Sequence, residues 1–176
     1  MKPKNILTAA LFTLILLIPL QAQDIMFWNL ENFFDTHDDG TSTSDSEFSS
    51  FGSRHWTRAR FEKKRNMIAK TILWAAACCS DGQPPEVVGF AEVENRKVVN
   101  SLIYCDVLAK CGYSCIHYDS PDRRGIDVAL IYRRDSLELL HSESRTVRDS
   151  SGQVLPTRNM LLATFRNHRG QTFHVL

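Results

Sequence analysis

No set of cysteines and histidines in this chain has the spacing of a zinc site, which excludes a zinc-finger or zinc-ribbon scaffold. A basic surplus is missing too. Taking off the first 22 residues removes Lys2 and Lys4 and no acid, so 19 basic residues face 20 acidic ones, a net charge of −1. With no global basic field, nucleic-acid binding cannot be argued from net charge. No internal repeat is present, which excludes solenoids and propellers. The one long apolar run, Ile6 to Leu20, lies at the amino terminus behind Lys2 and Lys4 and is short for a bilayer span. It reads as a signal peptide over residues 1–22, cut after Ala22, with an uncleaved anchor as the alternative. No cysteine stands at the cleavage point, so a lipoprotein signal is absent. The expected location is secreted or periplasmic, with no membrane attachment after cleavage.

What remains, about 150 residues, is enough for one domain with a real core. All five cysteines fall between Cys78 and Cys115. A secreted chain tolerates disulfides, an odd count leaves one thiol over, and a Cys111–Cys115 pair is sterically possible. Charge is segregated locally. Asp35 to Glu47 carries five acids and no Lys or Arg, whereas Arg54 to Lys70 carries seven Lys or Arg against Glu62 alone.

Periodicity orders the chain. Asp24 to Asn29 reads as a strand, and Asp35 to Ser53 as a solvated loop rich in Ser, Thr, Asp and Gly. Thr57 caps a helix to Ala77, with Phe61, Ile68, Ile72 and Ala75 stacked on one face and Arg58, Lys63, Lys64 and Arg65 on the other. Glu86 to Ala91 is a strand apolar on both sides, as buried strands are. A helix over 96–110 ends at Gly112. Strands follow at 113–118, 127–133, 137–147, 159–165 and 172–176, the last two joined by a turn at Asn167–Gly170. Strand–helix–strand–helix and then a run of strands is an α+β or α/β layered sheet.

Two residues end equivalent strands: Asn29 after Ile-Met-Phe-Trp, and Glu92 after Val-Val-Gly-Phe-Ala. Sites of open α/β sheets form at such strand ends. One Glu with waters and a phosphate oxygen can hold Mg²⁺, and an amide can serve an anionic ligand without adding repulsion. The plainer readings are a turn Asn and a Glu that caps the next helix. Glu31 and Glu94 stand two residues further on and read as carboxylates supporting the site or, preferably, as surface charges. Arg124 and Asp127 bracket Gly125; Arg124 can bind phosphate with Asp127 orienting it, or the two form a loop ion pair.

Trp28-Asn29-Leu30-Glu31-Asn32-Phe33-Phe34, Gly89-Phe90-Ala91-Glu92-Val93-Glu94-Asn95 and Arg124-Gly125-Ile126-Asp127-Val128-Ala129-Leu130-Ile131-Tyr132-Arg133 resemble motifs of the endonuclease/exonuclease/phosphatase family, and within it secreted bacterial members including extracellular nucleases. The resemblance runs from about Asp24 to Leu176. It implies an α+β fold, the N-terminal part of a four-layer αββα sandwich of two β-sheets flanked by helices, occupying residues 23–176. It implies a phosphoester hydrolase dependent on Mg²⁺ or Mn²⁺, with Glu92 and Asn29 at the metal, Asn29 positioning phosphate, and Arg124 and Asp127 as further phosphate-binding candidates. A His after a strand, a Gly-Asp-x-Asn motif and an Asp-His pair, which the family carries in its second half, do not occur here. The chain is therefore expected to be an N-terminal portion, inactive alone and poorly soluble through exposed sheet edges. The expected substrate is a phosphodiester, a nucleic acid first. Alternatives are a phospholipid or sugar-phosphate phosphatase of the same family, and a secreted binding module that kept the fold and lost the chemistry. No stable protein partner is implied.

Overall fold

The computed structural model describes residues 23–40, 42–79 and 82–176; the signal-peptide reading of residues 1–22 lies outside them. In chain order the elements are β1 (Ile25–Phe33), α1 (Thr43–Glu47), α2 (Arg58–Cys79), β2 (Val87–Val93), α3 (Arg96–Ile103), a 3-10 turn (Ala109–Cys111), β3 (Tyr113–His117), β4 (Asp127–Arg133), β5 (Leu137–Arg145), β6 (Met160–Asn167) and β7 (Thr172–Val175). They build two sheets, ordered β1-β2-β4-β3 and β5-β6-β7. In the first, β1 and β2 run parallel and the other pairs antiparallel; the second is an antiparallel meander. The parallel pair requires a long crossover, which α1 and α2 supply.

The alternation of each strand sorts its side chains between two cores. Val88 and Phe90 of β2, with Ala129 and Ile131 of β4, pack against Ile68, Ala69 and Ile72 of α2 and Val98, Val99, Leu102 and Ile103 of α3. The opposite face sends Val87, Ile116 and Leu130 against Leu137, Leu161, Ala163 and Phe165 of the second sheet. The molecule is thus an α+β sandwich of two sheets with helices on the outer face of the first. Among the described residues, no helix is long and apolar enough to cross a membrane.

Three expectations change. The segment 35–53 is not a bare loop: Ser42 caps the short α1, and Phe34, Phe48 and Trp56 form an aromatic stack with centroids 5.0 and 5.9 Å apart. The buried Phe34 ring, with half-buried Phe48 and Trp56 packed beside it, anchors a segment whose composition looks solvated. The helix begun at Arg96 stops at Ile103, and only a 3-10 turn follows, ending at Gly112 in the left-handed region. Cys111 and Cys115 are free thiols, packed against the first core as small apolar groups rather than bridged.

Candidate functional site

Asn29 and Glu92 meet inside the parallel β1–β2 pair, at an irregularity past which both strands continue, to Phe33 and Val93, rather than at strand ends. Asn29 faces Ala91 and Phe33 faces Val93, so residues 30–32 of β1 are looped out against the single residue Glu92. Glu31, Asn32 and Glu92 all take left-handed backbone, with φ of 53°, 64° and 62°. For residues with a Cβ this costs on the order of 1 kcal/mol each and persists where the surroundings hold it. Here the hold is visible. Asn29 Nδ2 donates to Glu92 Oε1 and the Asn32 N–H to Glu92 Oε2, both at 3.2 Å. The Glu31 N–H donates to Asn29 Oδ1 at 2.9 Å. Lys64 reaches up from α2, its Nζ donating to the carbonyls of Glu31 (2.7 Å) and Asn32 (3.1 Å). The bulge therefore keeps its polar groups satisfied by two side chains of the site and one lysine beneath it.

The sequence did not single out Lys64. Nothing distinguishes it from Lys63 except which side of α2 it faces, and that depends on how the helix docks. Burial lowers its pKa, opposed by Glu31 and Glu92. Arg158, also unforeseen, brings Nη1 to 3.9 Å from Glu92 Oε1 out of the segment before β6. No local pattern marks it, because it arrives from the other sheet.

Arg124 and Asp127 part company. Asp122 takes Arg124 in a two-pronged pair, Nε to Oδ1 at 3.0 Å and Nη2 to Oδ2 at 2.8 Å. That bond lowers the Asp122 pKa and raises that of Arg124, to which the charge of Glu92 adds. The Arg124 carbonyl accepts from Ser42 Oγ at 2.9 Å. Gly125, at φ 67°, lets the loop come this close, since a Cβ there would lie 2.6 Å from the same hydroxyl. Asp127 is buried against His117 instead, Oδ2 3.2 Å from Nε2. The orienting partner of Arg124 is thus Asp122, two residues away, because a near neighbour closes a bidentate pair with little loss of chain freedom.

Glu94 is buried rather than on the surface. It accepts from the Asp35 N–H at 2.6 Å, and burial, reinforced by the charges of Asp35, Asp45 and Asp39, pushes its pKa up to about 8. Alongside Asn29 runs a groove of about 570 Å³, lined by Trp28, Glu31, Trp56, Arg60, Lys63 and Lys64 among others. Lys64 lies 5.5 Å from the centre of the Trp56 ring.

A model of the Endonuclease/Exonuclease/phosphatase family matches residues 24–176. The chain belongs to that family. Members are hydrolases of phosphoesters, generally dependent on a divalent metal. Solved structures agree on the fold. An endonuclease/exonuclease/phosphatase family protein from Bacteroides thetaiotaomicron superimposes with a TM-score of 0.55 at 13% identity, over 86% of this chain and 48% of that one. The mannosyl-6-phosphatase of Bacteroides thetaiotaomicron gives 0.54 at 15% identity, over 87% and 49%. The human Nocturnin catalytic domain, with bound sulfate, gives 0.52 at 14%, over 86% and 47%. The chain spans about half the length of these family structures. No curated protein matches it in sequence.

Proposed function

We propose that the chain supplies the phosphate- and metal-positioning half of a secreted, Mg²⁺-dependent phosphodiester hydrolase, a nuclease. The observation that carries this reading is the Glu92 carboxylate, held in strained backbone at a sheet rim by one N–H on each oxygen. Each oxygen keeps a lone pair, so the group fits a hard cation that favours oxygen ligands and retains most of its water. When bound, that cation supplies charge neutralisation at phosphate and acidifies water. Asn29 aims the carboxylate with its Nδ2, and its Oδ1, which accepts from the Glu31 N–H, keeps a second lone pair towards the ion. Arg124, fixed by Asp122, presents a permanent positive charge to a phosphate oxygen. The reaction is in-line attack of water on phosphorus, assigned to the full-length family domain.

The groove beside Asn29 favours a nucleic acid over a small phosphoester, because Lys63 and Arg60 can follow a backbone while Trp28 and Trp56 line the same groove. Calorimetric titration of Mg²⁺ into the chain is the test of the metal, with Glu92→Gln expected to abolish the binding heat. Equal Mg²⁺ affinity in that variant sinks the assignment. Fluorescence anisotropy with labelled single-stranded DNA, set against mannose 6-phosphate and inositol phosphates as competitors, tests the substrate. Displacement by a sugar phosphate at concentrations where DNA does not bind turns the reading to a phosphatase.

A further inference from the structure

We propose that His117 and Asp127, with Asp119 orienting the imidazole, form a second cation site, for a divalent first-row transition metal, separate from the Glu92 rim. His117 is the last residue of β3 and Asp127 the first of β4, so the two frame the loop that carries Asp122 and Arg124. By strand alternation both share the helix-facing side of the first sheet with Tyr113, Cys115, Ala129 and Ile131. Their side chains are 2% and 7% exposed.

Two features point to a missing third party. His117 Nε2 is buried and makes no hydrogen bond, although Asp127 Oδ2 lies only 3.2 Å away. A buried imidazole nitrogen without a partner costs about 1–3 kcal/mol, and a nearby carboxylate that fails to relieve it is anomalous. The same separation is ordinary for two atoms bound to one ion: ligands at about 2.1 Å in a tetrahedral shell stand roughly 3.4 Å apart. Asp119, 94% exposed, stands at the other ring nitrogen, its Oδ1 3.8 Å from His117 Nδ1, where it orients the imidazole and leaves Nε2 for the ion. One ligand atom from each of the three residues lies within 4.8 Å of the others. The two ligands are thus buried and the orienting carboxylate is exposed.

The donor set selects the metal. An imidazole nitrogen beside a carboxylate oxygen suits Zn²⁺ or Mn²⁺, whereas Mg²⁺ favours an all-oxygen site such as Glu92. Arg96 does not fill the position with its own charge, because its guanidinium is committed to the carbonyls of Cys115 and His117. An ion here ties the end of β3 to the start of β4 and shortens the free span of the Arg124 loop.

Mn²⁺ is the probe, since it avoids the free thiols. Electron spin-echo spectroscopy of the metal-stripped chain with one equivalent of Mn²⁺ and excess Mg²⁺ is expected to show nitrogen modulation from a bound imidazole. Asp119→Ala, an exposed change that leaves the metal-free melting temperature unaltered, is expected to weaken Mn²⁺ by about tenfold or more. His117→Gln is expected to remove the nitrogen signal, and Glu92→Gln to leave it intact. Absence of nitrogen modulation in the parent chain overturns the site, as does unchanged affinity in Asp119→Ala. Signal loss in Glu92→Gln alone places the ion at the rim and overturns it too, while leaving the hydrolase reading in place.

Discussion

Strand β2, at the heart of the first sheet, buries six of its seven residues, whereas β6, central in the second, buries three of eight. One is clad in helices on one side and in a sheet on the other; the other meets the first sheet through one face only. The strained, hydrogen-bonded rim that holds Glu92 belongs to the doubly covered sheet. Left-handed backbone persists where the surroundings hold it, and at this rim the hydrogen bonds made by Asn29, Lys64 and Glu92 do so. The second sheet contributes Arg158 and a wall, and its outer face is free to alternate polar and apolar residues.

Mutations can break that contrast. The largest effect is expected at Phe90, fully buried in β2: Phe90→Ala should cost about 3–5 kcal/mol in urea unfolding. Phe173→Ala in β7, where the ring is only half-buried, should cost less than half of that. Equal losses would dissolve the distinction between the sheets. Next comes Lys64→Met, which strips donors from two carbonyls of the bulge and should cost about 1–3 kcal/mol, together with a fall in Mg²⁺ affinity. Lys63→Met, one residue away and exposed, should stay within about 0.5 kcal/mol.

A third test uses pH. The folded-state pKa of Glu94, about 8, lies above the ordinary 4.5, so the native state binds the extra proton. Stability from this group is full below pH 4.5 and is lost as pH rises towards 8. Melting temperature should therefore fall across that window, and Glu94→Gln should flatten the fall while leaving an acceptor for the Asp35 N–H. A steeper fall in the variant would refute the assignment. The smallest effect is expected on the second sheet, where Arg166→Ala breaks an exposed pair with Glu138 at 3.3 Å and should cost no more than about 0.5 kcal/mol.

Much of this was legible in the residues. Apolar runs located the strands, the 3.6-residue pattern located α2, and Asn29 and Glu92 announced themselves by standing at the ends of two such runs. What could not be read depends on docking. The choice of Lys64 over Lys63 follows from the rotation of α2 against β1. Arg158 is brought in by the packing of one sheet on another. Asp127 turned from Arg124 to His117 because the strand pairing places Ala129 opposite His117, which no count along the chain reveals. The aromatic stack of Phe34, Phe48 and Trp56 was hidden by its polar flanks, which composition weighs and burial ignores.

Asn29 and Glu92 touch across 63 positions of sequence, while β5, β6 and β7 follow one another as hairpins. Local pairings close quickly and distant ones slowly, because the chain must first give up the freedom of the intervening loop. The meander is thus expected to be in place while β1 is still searching for β2. Glu92 gains its amide only when that search ends. The contact between these two side chains is consequently a clock as well as a site, and its appearance in a refolding experiment should mark the last committed step.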